Sequence, residues 1–151
     1  MHVRRASVED SPALARARAS LIGETPTGPW LNTLEQHIAT EISDRRMAAF
    51  LIDAHHGDHV VSCALGTIQQ GLPGPGYDGQ YGYVHLVWTL SEYRCRGYGR
   101  AVTTALLRWL EEQGCPLVTL NTSTAAADLY LSLGFTPNDK AMRWVRRRAK
   151  V

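Results

Sequence analysis

Residues 81–90 (YGYVHLVWTL) are dense in aromatic and β-branched side chains, the composition of a strand packed in a sheet. A turn carrying Gly97 and Gly99 follows, and then Val102, Ala105, Leu106, Trp109 and Leu110, which share one face of a helix. Gly114 marks the end of that helix and Pro116 prevents its continuation. Residues 117–120 are apolar and short, as a further strand would be. Elements in this succession bury their apolar faces by laying the helix on a sheet, which makes the chain α/β.

The flanking segments extend the pattern. Residues 3–6 read as a first strand, and Ser7 and Asp10 then stand at capping-box spacing before Pro12, so a helix reaching Leu21 is expected. Residues 23–29 form a breaker-rich loop, after which Trp30, Leu34, Ile38 and Ile42 predict a second helix. The apolar runs 47–54 and 60–68 flank Gly57 and Asp58, the signature of a β-hairpin. Residues 71–79 hold five glycines and prolines between Gly71 and Gly76. They are either a poorly ordered lid without a hydrogen-bond ladder or a long hairpin connection. Residues 124–132 predict a short helix closed by Gly134, and 142–145 a final strand. No repeat or linker divides the chain, so one domain over residues 1–151 is expected, with helices packed on a mixed sheet.

Composition narrows the classes. With 44% hydrophobic and 20% charged residues, the chain is ordinary for a globular domain, and a net charge of +2 does not suggest nucleic acid. Arg146, Arg147, Arg148 and Lys150 read as a short solvated tail. No apolar run suits a membrane span, and residues 1–5 are not followed by an apolar signal core. Cys63, Cys95 and Cys115 are odd in number and widely spaced, which argues for a reducing cytoplasm and against a metal set. His55, His56 and His59 surround the Gly57–Asp58 turn and read as solvated turn residues, so no metal is expected.

The chemistry concentrates between residues 93 and 101. Gly97 and Gly99 clear side chains from backbone N–H groups at a helix N-terminus, a design for holding phosphate, with Arg94, Arg96 and Arg100 adding charge. No GK[ST] follows, which excludes a P-loop, and a third glycine is missing from a dinucleotide fingerprint.

The order Arg94-x-x-Gly97-x-Gly99 resembles the acetyl-CoA pyrophosphate signature of the GNAT superfamily of N-acetyltransferases. The run from Leu129 through Tyr130, Leu133, Gly134 and Phe135 resembles that family's second signature, LYxxLGF. The resemblance implies a mostly antiparallel mixed sheet, splayed at a bulge in its central strand and flanked by about four helices. It places the pantetheine arm of acetyl-CoA along Val87, Trp88 and Thr89. The pyrophosphate falls on Arg94 and the amides of Cys95, Arg96, Gly97, Tyr98, Gly99 and Arg100, and Cys95 is asked for nothing but its amide. Ser123 matches a position at which a longer Asn often touches the cofactor.

The mechanism implied is direct attack of an amine on the thioester, with the Val87 amide as oxyanion donor and Tyr130 as the acid for the departing thiolate. Many relatives carry a Glu base on the central strand. Here none stands between Tyr83 and Leu90, and His85 is the one imidazole available, on whichever face of the strand it falls. The expected partner is a small-molecule or peptide amine. Trp30, Tyr77, Tyr81, Glu24, Glu35, Glu41 and Asp78 are candidates to receive a cationic one. Nucleic acid and membrane are not expected, and a homodimer stays open. A catalytically silent acyl-CoA-binding module is the alternative, followed by a nucleotide-phosphate enzyme built on the same turn.

Overall fold

The computed structural model describes residues 1–146 of the 151-residue chain. In chain order the elements are β1 (Arg4–Arg5), α1 (Ser11–Leu21), α2 (Pro29–Ser43), β2 (Met47–Asp53), β3 (Val60–Gln70), β4 (Gln80–Thr89), α3 (Tyr98–Glu112), β5 (Val118–Leu120) and α4 (Ala127–Ser132). The chain divides into two units, Met1–Asn121 and the part beginning at Thr122. Among the described residues no helix is long and apolar enough to cross a membrane.

The first unit is a five-stranded sheet in the order β1-β2-β3-β4-β5. β2, β3 and β4, joined by hairpin connections, run antiparallel, as β1 does to β2 across the α1–α2 segment, whereas β4 and β5 run parallel, because α3 carries the chain back between them. The sheet is therefore mixed and mostly antiparallel, as the sequence implies. Asp10 accepts a hydrogen bond from the Ser7 amide at 2.8 Å ahead of α1. The Asp10 carboxylate also pairs with Arg4, which reaches Asp53 on β2 as well, so β1, β2 and the entry to α1 are tied together.

Both faces of the sheet are covered. Leu14, Ala15 and Ala17 of α1 and Ile38 of α2 meet Met47, Leu51, Cys63, Leu65 and Leu86 on one side. Val102, Leu106, Trp109 and Leu110 of α3 meet Ala48, Ile52, Val61, Ala64 and Val84 on the other. This double cover explains why β2 and β3 are buried on both faces over most of their length. Gly66 lets α3 approach closely, since a Cβ there would stand 3.0 Å from the Tyr83 carbonyl oxygen and 3.1 Å from Leu106. Gly66→Val is therefore expected to cost roughly 1–3 kcal/mol through overpacking. A lowered urea midpoint with unchanged slope would show it; an unchanged midpoint would mean that α3 can move away.

Residues 71–79 are a hairpin connection and not a ladderless lid. The Gly71 amide donates to Gly79 O at 2.7 Å, Gly74 and Tyr77 bridge, and the Gln70 side chain donates to the carbonyls of Gly71 and Asp78. Backbone turns at Gly76 and Gly79, both with positive φ, close these bonds despite the prolines.

In the second unit α4 ends as expected at Gly134, whose φ is +97°. The Phe135 amide donates to Tyr130 O at 3.0 Å, which folds the Phe135 ring edge-on to Tyr130 at 5.7 Å between centroids. The expected strand at 142–145 is not formed. Met142, Trp144 and Val145 are exposed and make no strand pairing among the described residues. A largely apolar composition does not by itself make a strand where no ladder partner meets it. Arg147, Arg148 and Lys150 of the basic tail lie outside the described residues.

Candidate functional site

A short helical turn, Ser91–Tyr93, follows β4, and the chain then reverses through two left-handed residues, Cys95 at φ +61° and Gly97 at φ +86°, to start α3 at Tyr98. Left-handed residues in a turn aim backbone N–H groups into one concavity, an anion-binding arrangement. The first turn of α3 adds its unsatisfied donors and the positive end of its dipole. Cys95 thus occupies a position that glycine fills at less cost, and its backbone shape is what the turn needs from it. The arginines are partly engaged: Arg94 Nε donates to the Thr89 carbonyl at 3.1 Å and Arg96 lies over the Tyr93 ring at 5.9 Å.

One strand back, the register of the sheet slips. Leu65 pairs with Leu86 but Gly66 pairs with Val84, so His85 is an extra residue on β4. The bulge is at His85, just before the segment Val87–Thr89 to which the resemblance assigns the pantetheine arm, and that segment pairs regularly with Ala64, Cys63 and Ser62. Pairing of β4 with β5 stops at Val84↔Leu120, so past the bulge the outer edge of β4 has no strand beside it among the described residues. The Leu90 amide donates to Val61 O at 2.8 Å. Antiparallel alternation counted back from there turns the N–H and C=O of Val87 away from β3, toward that open edge. Thr89 shares this parity, consistent with its carbonyl meeting Arg94.

The bulge also decides which way His85 faces. Two successive residues, His85 and Leu86, both line a cavity of about 660 Å³ between the sheet and helices α1 and α2. His85 Nε2 shares a 2.8 Å hydrogen bond with the hydroxyl of buried Thr67, and that oxygen also accepts from Gln69 Nε2 at 2.8 Å. The Tyr83 ring lies 4.6 Å from the imidazole. Nδ1 is left as the ring nitrogen with no protein partner among the described residues. Desolvation first, and then the positive charges of Arg18 and His37, hold the His85 pKa below its ordinary 6.5. The imidazole is solvent-accessible and neutral at pH 7, the state in which it can take up a proton.

The lining of this cavity differs from the set of residues expected to receive an acceptor. Of the residues expected there, Glu41 alone lines it; Trp30, Tyr77, Tyr81, Glu24, Glu35 and Asp78 do not. The lining comes instead from Arg18, His37, Asp44, Arg46, Thr67 and Gln69 over an apolar floor. Sequence reasoning also missed Asn121, which directly follows β5 and donates to the Tyr83 hydroxyl at 2.9 Å. Its only sequence signal was its place directly after an apolar run.

The second unit holds the two remaining candidates. Tyr130 is half-buried on α4, and desolvation raises its pKa above the ordinary 10, so the hydroxyl keeps its proton and can donate it. Ser123 stands at the head of the short turn Thr124–Ala126 in extended conformation and makes no side-chain cap bond. Among the described residues no group of three His, Cys, Asp or Glu side chains is placed to hold a metal ion, and the His59 ring pairs with Asp58 at 2.7 Å.

A family model described as the acetyltransferase (GNAT) family matches residues 16–135. Among solved structures, a predicted acetyltransferase from Clostridium acetobutylicum with acetyl-CoA superposes with a TM-score of 0.85 at 16% identity, covering 95% of each chain. A GCN5-related N-acetyltransferase from Ralstonia eutropha gives 0.80 at 15% identity, over 95% of this chain and 97% of that one. Glucosamine-6-phosphate N-acetyltransferase from Arabidopsis thaliana gives 0.77 at 15%, with the same coverage. A comparison with curated protein sequences finds no match.

Proposed function

Because the chain belongs to the acetyltransferase (GNAT) family, we propose that it moves an acetyl group from acetyl-CoA to a primary amine of a small molecule or peptide by direct attack. The observation that carries the reading is the bulge of β4, which frees the strand's outer edge past Val84 and turns His85 into the cavity under α1 and α2. A cofactor arm hydrogen-bonded like a strand fits the open edge, and a pyrophosphate fits the left-handed turn at Cys95 and Gly97.

When bound, acetyl-CoA supplies a thioester carbonyl as the electrophile. An amine with a pKa of about 10 arrives mostly as ammonium, and its lone pair is available only after a proton leaves. His85 Nδ1 takes that proton, directly or through a water, provided Nε2 carries the ring proton and donates it to Thr67 Oγ1. The amine nitrogen then bonds to the acyl carbon as the carbon–sulfur bond breaks. The Val87 amide is turned toward the developing oxyanion's side of the strand. Tyr130 gives its phenolic proton to the leaving thiolate and is restored by the second proton that the nitrogen sheds, directly or through a water, so the products are the acetamide and CoA thiol.

Acetyl-CoA at one hundred times its Kd is expected to stabilise the fold by about 2.7 kcal/mol, read as a rise in Tm. Gly97→Val, at a backbone position of φ +86°, should lose that rise. Normal CoA binding in this variant would put the cofactor somewhere other than the turn. Thiol release over a panel of amines tests the chemistry, and its absence with every amine would leave a silent acyl-CoA-binding module.

A further inference from the structure

The buried face of α1 is built from Leu14, Ala15, Ala17 and Ala19, and Arg18 stands half-buried beside it, lining the same cavity as His85. Arg18 Nη1 donates to the His85 carbonyl at 3.2 Å, and no carboxylate among the described residues pairs with it. A guanidinium carries five donors in a planar fork suited to a carboxylate or phosphate, and here one neutral carbonyl occupies a single arm. The cavity's other charges lie at the end of α2. Arg46 is already paired with Glu41 at 3.8 Å, and Asp44 is exposed. Nearest the imidazole, then, the unmatched charge is positive, which disfavours a second cationic group on the acceptor at that end and favours an anion.

We propose that Arg18 anchors a compact oxyanion of the acceptor, so that the preferred substrate is an amine bearing that anion one carbon away from its nitrogen, with an aliphatic side chain. This deepens the acetyl-transfer reading above and rests on it. The anion on Arg18 sets the amine beside His85, whose carbonyl that guanidinium already meets and whose ring lines the same cavity. Leu34, Ile38, Met47, Leu65 and Leu86 provide the apolar floor for the side chain. A carboxylate and a phosphonate share the chemistry Arg18 reads, and the assay separates them.

The experiment compares four acceptors with one carbon skeleton: leucine, its α-aminophosphonate analogue, leucinamide and isoamylamine, each with acetyl-CoA and the full chain. Leucine or the phosphonate is expected to exceed both neutral amines in kcat/KM by about 10- to 100-fold, the usual worth of a hydrogen bond to a charged group. Whichever of the two leads identifies the anion. Arg18→Met should collapse the preference, mainly through KM for the anionic acceptor, and Arg18→Lys should restore part of it. Thermal unfolding with and without acetyl-CoA verifies that both variants are folded. Neutral amines turned over as well as the anionic ones, or a preference that survives Arg18→Met, would overturn the proposal while leaving acetyl transfer standing. No turnover with any amine in a protein that binds acetyl-CoA would overturn both.

Discussion

Tyr130→Phe is expected to lower kcat for acetyl transfer by about 10²–10⁴-fold, the range of general acid catalysis, while folding and acetyl-CoA binding stay near wild type. Phe keeps the ring and its edge-on contact with Phe135, and removes a hydroxyl that burial holds protonated. The loss belongs in the rate at saturating substrates and not in cofactor affinity, because the proton is needed only as the carbon–sulfur bond breaks. A CoA thiolate is a fair leaving group without help, which puts the expected effect toward the low end of the range. Single-turnover kinetics in which Phe matches Tyr, with chemistry limiting, would reduce Tyr130 to a packing residue of α4 and leave the fold and cofactor turn as they are.

What the sequence made legible follows local rules. The strand at residues 81–90, the glycine turn and α3 are each specified by their own composition, and the structure places them within a residue or two. Cys95 and Gly97 could be assigned to the turn, yet their left-handed φ values become evident only in the fold. The bulge was expected from the family resemblance, but its position was not legible in the strands themselves. It depends on Leu65 pairing with Leu86 while Gly66 pairs with Val84, a register between strands that no property of either strand announces alone. Because the bulge sets the face of His85, strand alternation could not place the imidazole.

The lining of the cavity beside His85 was not legible for a similar reason. Trp30, Tyr77 and Tyr81 stood in the right segments, but α2 turns Leu34, His37, Ile38 and Glu41 toward the sheet. Hydrogen bonds of the 71–79 connection hold Tyr77 elsewhere, with its hydroxyl on Gln80 O at 3.0 Å. Residues 142–145 failed differently, since a strand needs a neighbour and composition supplies only half of a ladder.

His85→Gln should cost acetyl transfer about 10²–10⁴-fold in kcat/KM near neutral pH, with acetyl-CoA binding retained. The pH profile is the sharper measurement. Burial and the charges of Arg18 and His37 depress the folded-state pKa below 6.5, so the base stays neutral until the solution is more acidic than a free imidazole would require. The wild-type rate should therefore carry an acid limb whose apparent pKa lies below 6.5, distinct from the rise at high pH as the acceptor amine deprotonates. In His85→Gln that acid limb should vanish and the amine limb remain. Stability carries the same sign. An unfolded chain takes up the His85 proton near 6.5 while the native chain resists it, so acidification from 6.5 down through the depressed folded value should erode wild-type stability more than that of the Gln variant. Thr67→Val offers an internal check, because it keeps the shape and leaves Nε2 without its partner. Its expected loss is smaller, and the acid limb should persist at a moved position. A limb above 6.5, or one that outlives His85→Gln, would assign proton removal to another group. The bulge would then be left with its role at the strand edge alone.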